Sequence, residues 1–65
     1  MNFGEKLRQL RQERQWTQPD LAEKLGIEQS WLSKIENDKS APSSDLLQKI
    51  EQAFGIPLSE LLSGL

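Results

Sequence analysis

The sequence predicts an all-α protein, a compact bundle of five short helices that forms one domain over residues 1–65. Three observations carry this prediction. The length of 65 residues suits a single small domain. The chain contains no Val, and nowhere do apolar and polar residues alternate as they do in a half-buried strand. Apolar residues recur instead at helical spacing, in short runs separated by capping and turn residues.

The first two helices are each marked by spacing and caps. The first is predicted from about residue 2 to residue 14 by apolar residues at i, i+4 and i+7, which are Phe3, Leu7 and Leu10. Thr17, with Asp20 three residues later, has the spacing of a reciprocal N-cap and predicts a second helix over about 18–25. Gly26 then supplies the left-handed residue at which a helix commonly ends.

A third helix is predicted over about 29–37, with Leu32 and Ile35 facing inward. The stretch 37–43 is rich in turn-forming residues and is interpreted as a loop. Its last residue, Ser43, or the following Ser44, is the expected N-cap of a fourth helix.

The fourth helix is expected to end at Gly55, and Pro57 opens a fifth. The predicted apolar face of the fourth helix is Leu46, Leu47, Ile50, Ala53 and Phe54. The fifth helix carries four leucines, at positions 58, 61, 62 and 65.

Composition excludes several classes of function. Without Cys or His the chain has no disulfide, no Cys/His metal site and none of the commonest general bases, so we expect neither an enzyme nor a cofactor. No apolar run approaches the ~20 residues of a membrane span, which favours a cytoplasmic protein with no membrane partner. The net charge of −2 argues mildly against nucleic acid, but the acidic excess lies entirely in residues 40–65.

The stretch 17–36 places two helices on either side of a turn of only three or four residues that contains Gly26. Such a pair must cross steeply, which is the geometry of a helix-turn-helix. Ala22 provides a small side chain where the second helix should meet the third.

Here the sequence resembles the phage-repressor-like helix-turn-helix family, the Cro/C1 or xenobiotic-response-element type. The matching segments are Thr17-Gln18-x-x-Leu21-Ala22, Gly26-Ile27-x-Gln29-Ser30-x-Leu32-Ser33-Lys34-Ile35-Glu36-Asn37 and Gly55-Ile56-Pro57-Leu58-x-x-Leu61-Leu62. The resemblance covers nearly the whole chain and implies a lambda-repressor-like bundle. It also implies a transcriptional regulator, in particular a repressor, that binds double-stranded DNA and is encoded by a bacterium or a phage.

The third helix would then be the recognition helix. With Leu32 and Ile35 turned inward, its opposite face is short and polar, as a helix in the major groove requires. The resemblance assigns base contacts to Gln29, Ser30, Ser33 and Lys34. It assigns contacts with the DNA backbone to Gln18, Asn37, Lys39, Ser40 and Arg11. The alternative is that the polar face of the helix is merely solvated.

The resemblance further pairs Arg11 with Glu36 as a structural ion pair. Trp31 either flanks the core or packs against a sugar or a thymine methyl, and the first interpretation is favoured. Glu28 departs from the family, which commonly has a Ser or Thr at this position to cap the recognition helix. Arg8 and Arg14 either contact phosphates or lie on a solvated face.

Useful specificity usually needs two such modules on half-sites about 10 bp apart. We therefore expect a homodimer, with Leu58, Leu62 and Leu65 as candidates for its interface. Equally, all the leucines of the fifth helix could simply close the small core. A competing function with the same fold is a protein-binding module such as an antitoxin, which the low pI and Glu28 weakly favour.

Overall fold

The computed structural model describes residues 1–64 and contains five α-helices within them. They are α1 (Phe3–Glu13), α2 (Gln18–Leu25), α3 (Gln29–Glu36), α4 (Ser44–Phe54) and α5 (Leu58–Leu61). The described residues include no strand, and the predicted all-α fold class is confirmed. Leu65, one of the three leucines proposed for a dimer interface, lies outside the described residues.

The helices pack around one apolar core. Helix α3 packs against α1 and α2, α4 against α2, and the short α5 against α4. The buried apolar residues of this core are Leu7, Leu21, Ala22, Leu25, Leu32, Ile35, Leu46, Ile50, Phe54 and Leu61. Leu47 and Ala53, which the spacing placed on the apolar face of α4, are only half-buried. The core therefore includes residues from every helix, with α3 held between α1 and α2.

Side chains cap the beginnings of four helices. At α2 the predicted reciprocal cap is present: the Thr17 N–H donates to Asp20 Oδ2 at 2.9 Å, and the Asp20 N–H donates to Thr17 Oγ1 at 3.2 Å. Asn2 caps α1, and Ser43 rather than Ser44 caps α4. At α5 the cap comes from another helix, since the Leu58 N–H donates to Glu51 Oε2 at 3.0 Å.

Four helices are followed within two residues by a residue with positive φ. Gly26 and Gly55 take this role for α2 and α4, as their positions in the sequence indicate. The other two are not glycines: Gln15 follows α1 with φ 60°, and Asp38 follows α3 with φ 59°. After α3 the N–H groups of Asp38 and Lys39 return to the carbonyls of Ile35 and Lys34, at 3.1 and 2.8 Å. This is the Schellman arrangement, which satisfies carbonyls that the end of a helix leaves unpaired.

None of the helices formed by residues 1–64 combines the length and the apolar character that crossing a membrane requires.

A candidate nucleic-acid interface on helix 3

The turn between α2 and α3 fixes how the two helices cross. Gly26 has φ 68°, and the Ile27 N–H donates to the Ala22 carbonyl at 3.0 Å, so the chain reverses within three residues. Ala22 is 4% exposed and lies in the core, which fits its small size. The buried face of α3 consists of Leu32, Ile35 and Glu36. Apart from Trp31, which packs against the core, the rest of the α3 surface is free to meet another molecule.

The predicted base-contacting residues lie on that free surface. Gln29, Ser30 and Lys34 are exposed, and Ser33 is half-buried. Glu28 occupies the N-cap position of α3, but its side chain makes no capping hydrogen bond. The N-terminal end of α3 thus presents polar side chains. Its first backbone N–H groups donate no capping hydrogen bond to the side chain of Glu28.

At the other end of α3, the buried carboxylate of Glu36 is the centre of a polar network. Glu36 is 1% exposed. Arg11 donates to it twice, from Nε to Oε2 at 2.8 Å and from Nη2 to Oε1 at 3.1 Å. Gln18 Nε2 donates to Oε1 at 3.1 Å, and Arg8 Nε lies 3.8 Å from the same oxygen. The carboxylate therefore links α1, α2 and α3 in the position that the resemblance assigned to an ion pair.

This network also involves two residues that were predicted to contact the DNA backbone. Besides its two bonds to Glu36, Arg11 donates from Nη1 to the Trp16 carbonyl at 2.9 Å, so three of its five N–H groups are used inside the protein. Gln18 uses one of its two amide hydrogens on Glu36. The Arg11 side chain is largely buried, and Gln18 is half-buried. A phosphate at this position would have to be bound by their remaining N–H groups.

We define the clamp loop as residues 37–43, which join α3 to α4 and hold the other three predicted backbone contacts. Asn37 and Lys39 are exposed, and Ser40 is half-buried. Arg8 Nη2 donates to Asn37 Oδ1 at 2.9 Å and to the Glu36 carbonyl at 3.1 Å. The indole Nε1 of Trp31 donates to Ser40 Oγ at 3.2 Å. The loop is thereby bonded both to α1 and to α3.

A second attachment of the clamp loop comes from the start of α1. The Gly4 N–H donates to Asp38 Oδ1 at 3.3 Å. A Cβ atom on Gly4 would lie 2.5 Å from the Ile35 carbonyl oxygen and 2.6 Å from that of Glu36. Only glycine permits the backbone of α1 to approach the end of α3 this closely. Nothing in the sequence marks Gly4, because a glycine within a helical pattern carries no local signal of what it packs against.

The structure gives Arg8 and Arg14 roles that neither sequence interpretation included. Arg8 bonds to the end of α3, as described above. Arg14 donates to the Phe54 carbonyl at 3.0 Å, and its guanidinium lies over the rings of Trp16 and Phe54. Arg14 therefore joins the end of α1 directly to the end of α4, and we do not place it in the proposed interface.

Trp31 is half-buried and packs against the core, so the structure agrees with the favoured interpretation of this residue. Its polar end was not anticipated, because nothing in the sequence pairs an indole with Ser40.

The leucines of the last helix divide into different environments. Leu61 is fully buried, and Leu58 is half-buried against the core. Leu62 is 44% exposed and, with Met1, is one of the two large exposed hydrophobic residues in the described part of the chain. Of the two interface candidates that the structure describes, Leu58 packs against the core, whereas Leu62 lies outside it.

Comparison with known proteins gives a consistent set of relatives. A family model described as helix-turn-helix matches residues 7–61. The HTH-type transcriptional activator BcrR of Enterococcus faecalis is 42% identical over 64 residues, which is 98% of this chain and 31% of that protein. The immunity repressor protein of Bacillus phage phi105 is 37% identical over 62 residues, which is 95% of this chain and 43% of that protein. The chain thus spans less than half the length of these two curated relatives.

Among solved structures, the master regulator for biofilm formation SinR in complex with DNA superimposes with a TM-score of 0.87 at 32% sequence identity. The match covers 95% of this chain and all of that one.

Proposed function

The chain belongs to the Cro/C1-type helix-turn-helix family of DNA-binding transcription regulators, and from this membership we propose that it reads a specific duplex site by placing α3 in the major groove. The observation that carries the proposal is the division of α3 into two faces. Its inner face is buried, whereas Gln29, Ser30 and Lys34 are exposed on a helix whose far end is fixed to α1 and α2. A reading helix needs exposed side chains on a rigid support.

The proposed base contacts are those of Gln29, Ser30, Ser33 and Lys34. A glutamine amide can bond both N6 and N7 of adenine, so Gln29 is the residue most able to select a base. The proposed backbone contacts are Asn37, Lys39 and Ser40 on one flank, with the remaining N–H groups of Gln18 and Arg11 on the other. Phosphate contacts of this kind fix the register of the protein on DNA without reading sequence.

Regulation would follow from occupancy of the site. A small domain bound at an operator excludes RNA polymerase without needing any further contact, so we propose repression as the simplest outcome of binding. We further propose that this takes place in the bacterial cytoplasm, with the protein encoded by a bacterium or a phage. No catalytic step is part of this proposal.

Selection from a random duplex library tests the proposal directly. The wild type should enrich a defined site, and Gln29→Ala should relax the preference at one or two positions of each half-site. Gln48→Ala is the matched control, because Gln48 is an exposed glutamine on α4. Titration with salt should give a slope of log K against log salt of about −0.9 for each neutralised phosphate. A chain that enriches no site and shows no salt dependence would instead be a protein-binding module.

We also propose a homodimer that uses the exposed Leu62, with Leu58 at its edge. A two-fold-symmetric site with half-sites about 10 bp apart, or ~34 Å, would be its signature on DNA. Leu62→Glu should give a folded monomer in analytical ultracentrifugation, since Leu62 is 44% exposed and contributes little to the core. An unfolded Leu62→Glu chain would mean that this leucine closes the core, and an intact dimer would place the interface elsewhere.

A further inference from the structure

Two polar residues of the clamp loop, Asn37 and Ser40, are each bonded to a group that can only donate hydrogen bonds. We propose that Arg8 and Trp31 are positioning residues for DNA binding: by occupying the acceptor atoms of Asn37 and Ser40, they leave both side chains with donors for the phosphate backbone. This inference rests on the proposed function and identifies which residues prepare the phosphate contacts.

Ser40 shows the principle most simply. A serine hydroxyl can donate one hydrogen bond and accept two, so its polarity depends on its neighbours. The indole N–H of Trp31, 3.2 Å from Ser40 Oγ, is a donor only. The hydroxyl must therefore accept on the side of Trp31, and its own hydrogen must point elsewhere. Because phosphate oxygens only accept, a Ser40 prepared in this way meets them with the correct polarity.

The same reasoning fixes the orientation of the Asn37 amide. Arg8 Nη2 lies 2.9 Å from Asn37 Oδ1, and a guanidinium has no acceptor. Rotating the amide by 180° would place its amino group against the guanidinium, donor against donor. Oδ1 is therefore held toward Arg8, and the Nδ2 amino group of this exposed residue is left for another molecule. Asn37 and Ser40 thus both present donors in the loop that carries the exposed Lys39, while the carboxylate of Asp38 between them accepts from the Gly4 N–H.

Gln18 provides a contrast within the same interface. Its partner, the Glu36 carboxylate, can only accept, so the amide gives up one of its two N–H donors at 3.1 Å and keeps the other N–H and its carbonyl oxygen free. The free carbonyl oxygen repels phosphate, and only the remaining N–H can bond to it. We therefore infer that Asn37 and Ser40 contribute more than Gln18 to binding of the backbone.

A double-mutant cycle on the Trp31–Ser40 pair tests the inference. The variants are Trp31→Phe, which keeps an aromatic ring but removes the N–H, Ser40→Ala, and the double variant. Ser40→Ala should weaken binding to the selected duplex about tenfold, the size of one hydrogen bond to a charged group. Trp31→Phe should weaken it about threefold by releasing the hydroxyl, and the double variant should bind no more weakly than Ser40→Ala alone. Ser40→Thr, which keeps a hydroxyl, should bind as the wild type does.

Thermal unfolding of each free variant separates positioning from simple stabilisation. If the Trp31–Ser40 bond were only structural, Trp31→Phe would lower Tm and leave Kd unchanged, and that result would overturn the inference. Losses of affinity that add in the double variant would also overturn it, because Trp31 would then act without Ser40. A second cycle, Arg8→Met with Asn37→Ala, should show the same lack of additivity. A wild-type chain that binds no duplex would refute the proposed function together with this inference, whereas wild-type binding with additive losses refutes the inference alone.

Discussion

The two ends of α3 differ in how they are held. At the C-terminal end, Glu36 receives hydrogen bonds from Arg11 and Gln18, and Arg8 donates to the last carbonyl. The N-terminal end has no side-chain cap from Glu28, and the residues that follow are exposed. The C-terminal end of α3 is thus hydrogen-bonded to α1 and α2, whereas the side chains at its N-terminal end are exposed.

This difference shows how a small domain can combine a rigid support with the exposed surface that we propose for reading DNA. A 65-residue chain has a total stability of only about 3–10 kcal/mol, so it cannot hold every polar residue in place by packing. The buried hydrogen bonds at the C-terminal end attach α3 to α1 and α2, and they thereby fix the orientation of the whole helix. The other end keeps exposed side chains without hydrogen bonds to the core, and these are the side chains that we propose for base contacts.

The largest expected effect tests the anchored end. Glu36→Ala should lower the free energy of unfolding by about 3–5 kcal/mol, because it strands the largely buried guanidinium of Arg11. Gln29→Ala at the free end should change it by less than about 0.5 kcal/mol while weakening DNA binding. Urea denaturation followed by Trp fluorescence measures both, with Glu23→Ala as an exposed control. Similar losses for Glu36→Ala and Gln29→Ala would abolish the distinction between the two ends.

A smaller effect is expected where α1 meets the anchored end. Helix propensity alone predicts that Gly4→Ala stabilises the protein by up to about 1 kcal/mol. The added Cβ would instead meet the carbonyl oxygens of Ile35 and Glu36, so we expect a net loss of about 1–3 kcal/mol. Gln9→Ala, at an exposed position of the same helix, is the matched control and should be neutral or stabilising. A loss of unfolding free energy in Gly4→Ala would show that the close approach of α1 to α3 outweighs helix propensity at this position. A gain would show the reverse.

At the free end, Glu28→Thr should raise the free energy of unfolding by about 0.5–1 kcal/mol, because a threonine can cap α3. It should also tighten DNA binding by removing a carboxylate from the interface. Glu28→Gln removes the same charge without supplying a good cap, so it should change affinity and leave stability nearly unchanged. If Glu28→Thr gave no gain in Tm over Glu28→Gln, the N-terminal end of α3 would already be satisfied in the wild type.

The smallest effect concerns the start of α2, the capped counterpart of the uncapped start of α3. The Thr17 N–H, followed by the Thr17 side chain and Lys24, holds the pKa of Asp20 below its ordinary value of 3.8. A lowered pKa in the folded state means that ionised Asp20 adds stability above about pH 3.8, and that this contribution disappears as the pH falls through the folded-state pKa. Asp20→Asn should therefore lower Tm slightly at pH 7 and converge with the wild type near pH 2. A constant difference in Tm across this range would assign the effect to the shape of the cap and not to its charge.

The sequence by itself determined the features that depend on residues close along the chain. Helical spacing, the Thr17 and Asp20 cap and the glycines at 26 and 55 specified the elements, because each signal acts within about one helical turn. The family resemblance then supplied the pairing of Arg11 with Glu36 and the candidate face of α3. Even so, Gln15 occupies a left-handed position where sequence preference would favour glycine, and no local signal marked it.

Only the tertiary structure decided which polar side chains meet across the fold. Arg8 and Asn37 are 29 residues apart, and Gly4 and Asp38 are 34 residues apart. The Trp31–Ser40 bond spans only nine residues, yet it depends on the reversal of the chain after α3. A side chain can bond with whatever the packed helices bring within about 3 Å, and the sequence constrains that distance only through the packing of the entire core. The helices therefore follow from local chemistry, whereas the polarity of the groups that we propose for DNA contact follows from contacts that form when the bundle closes.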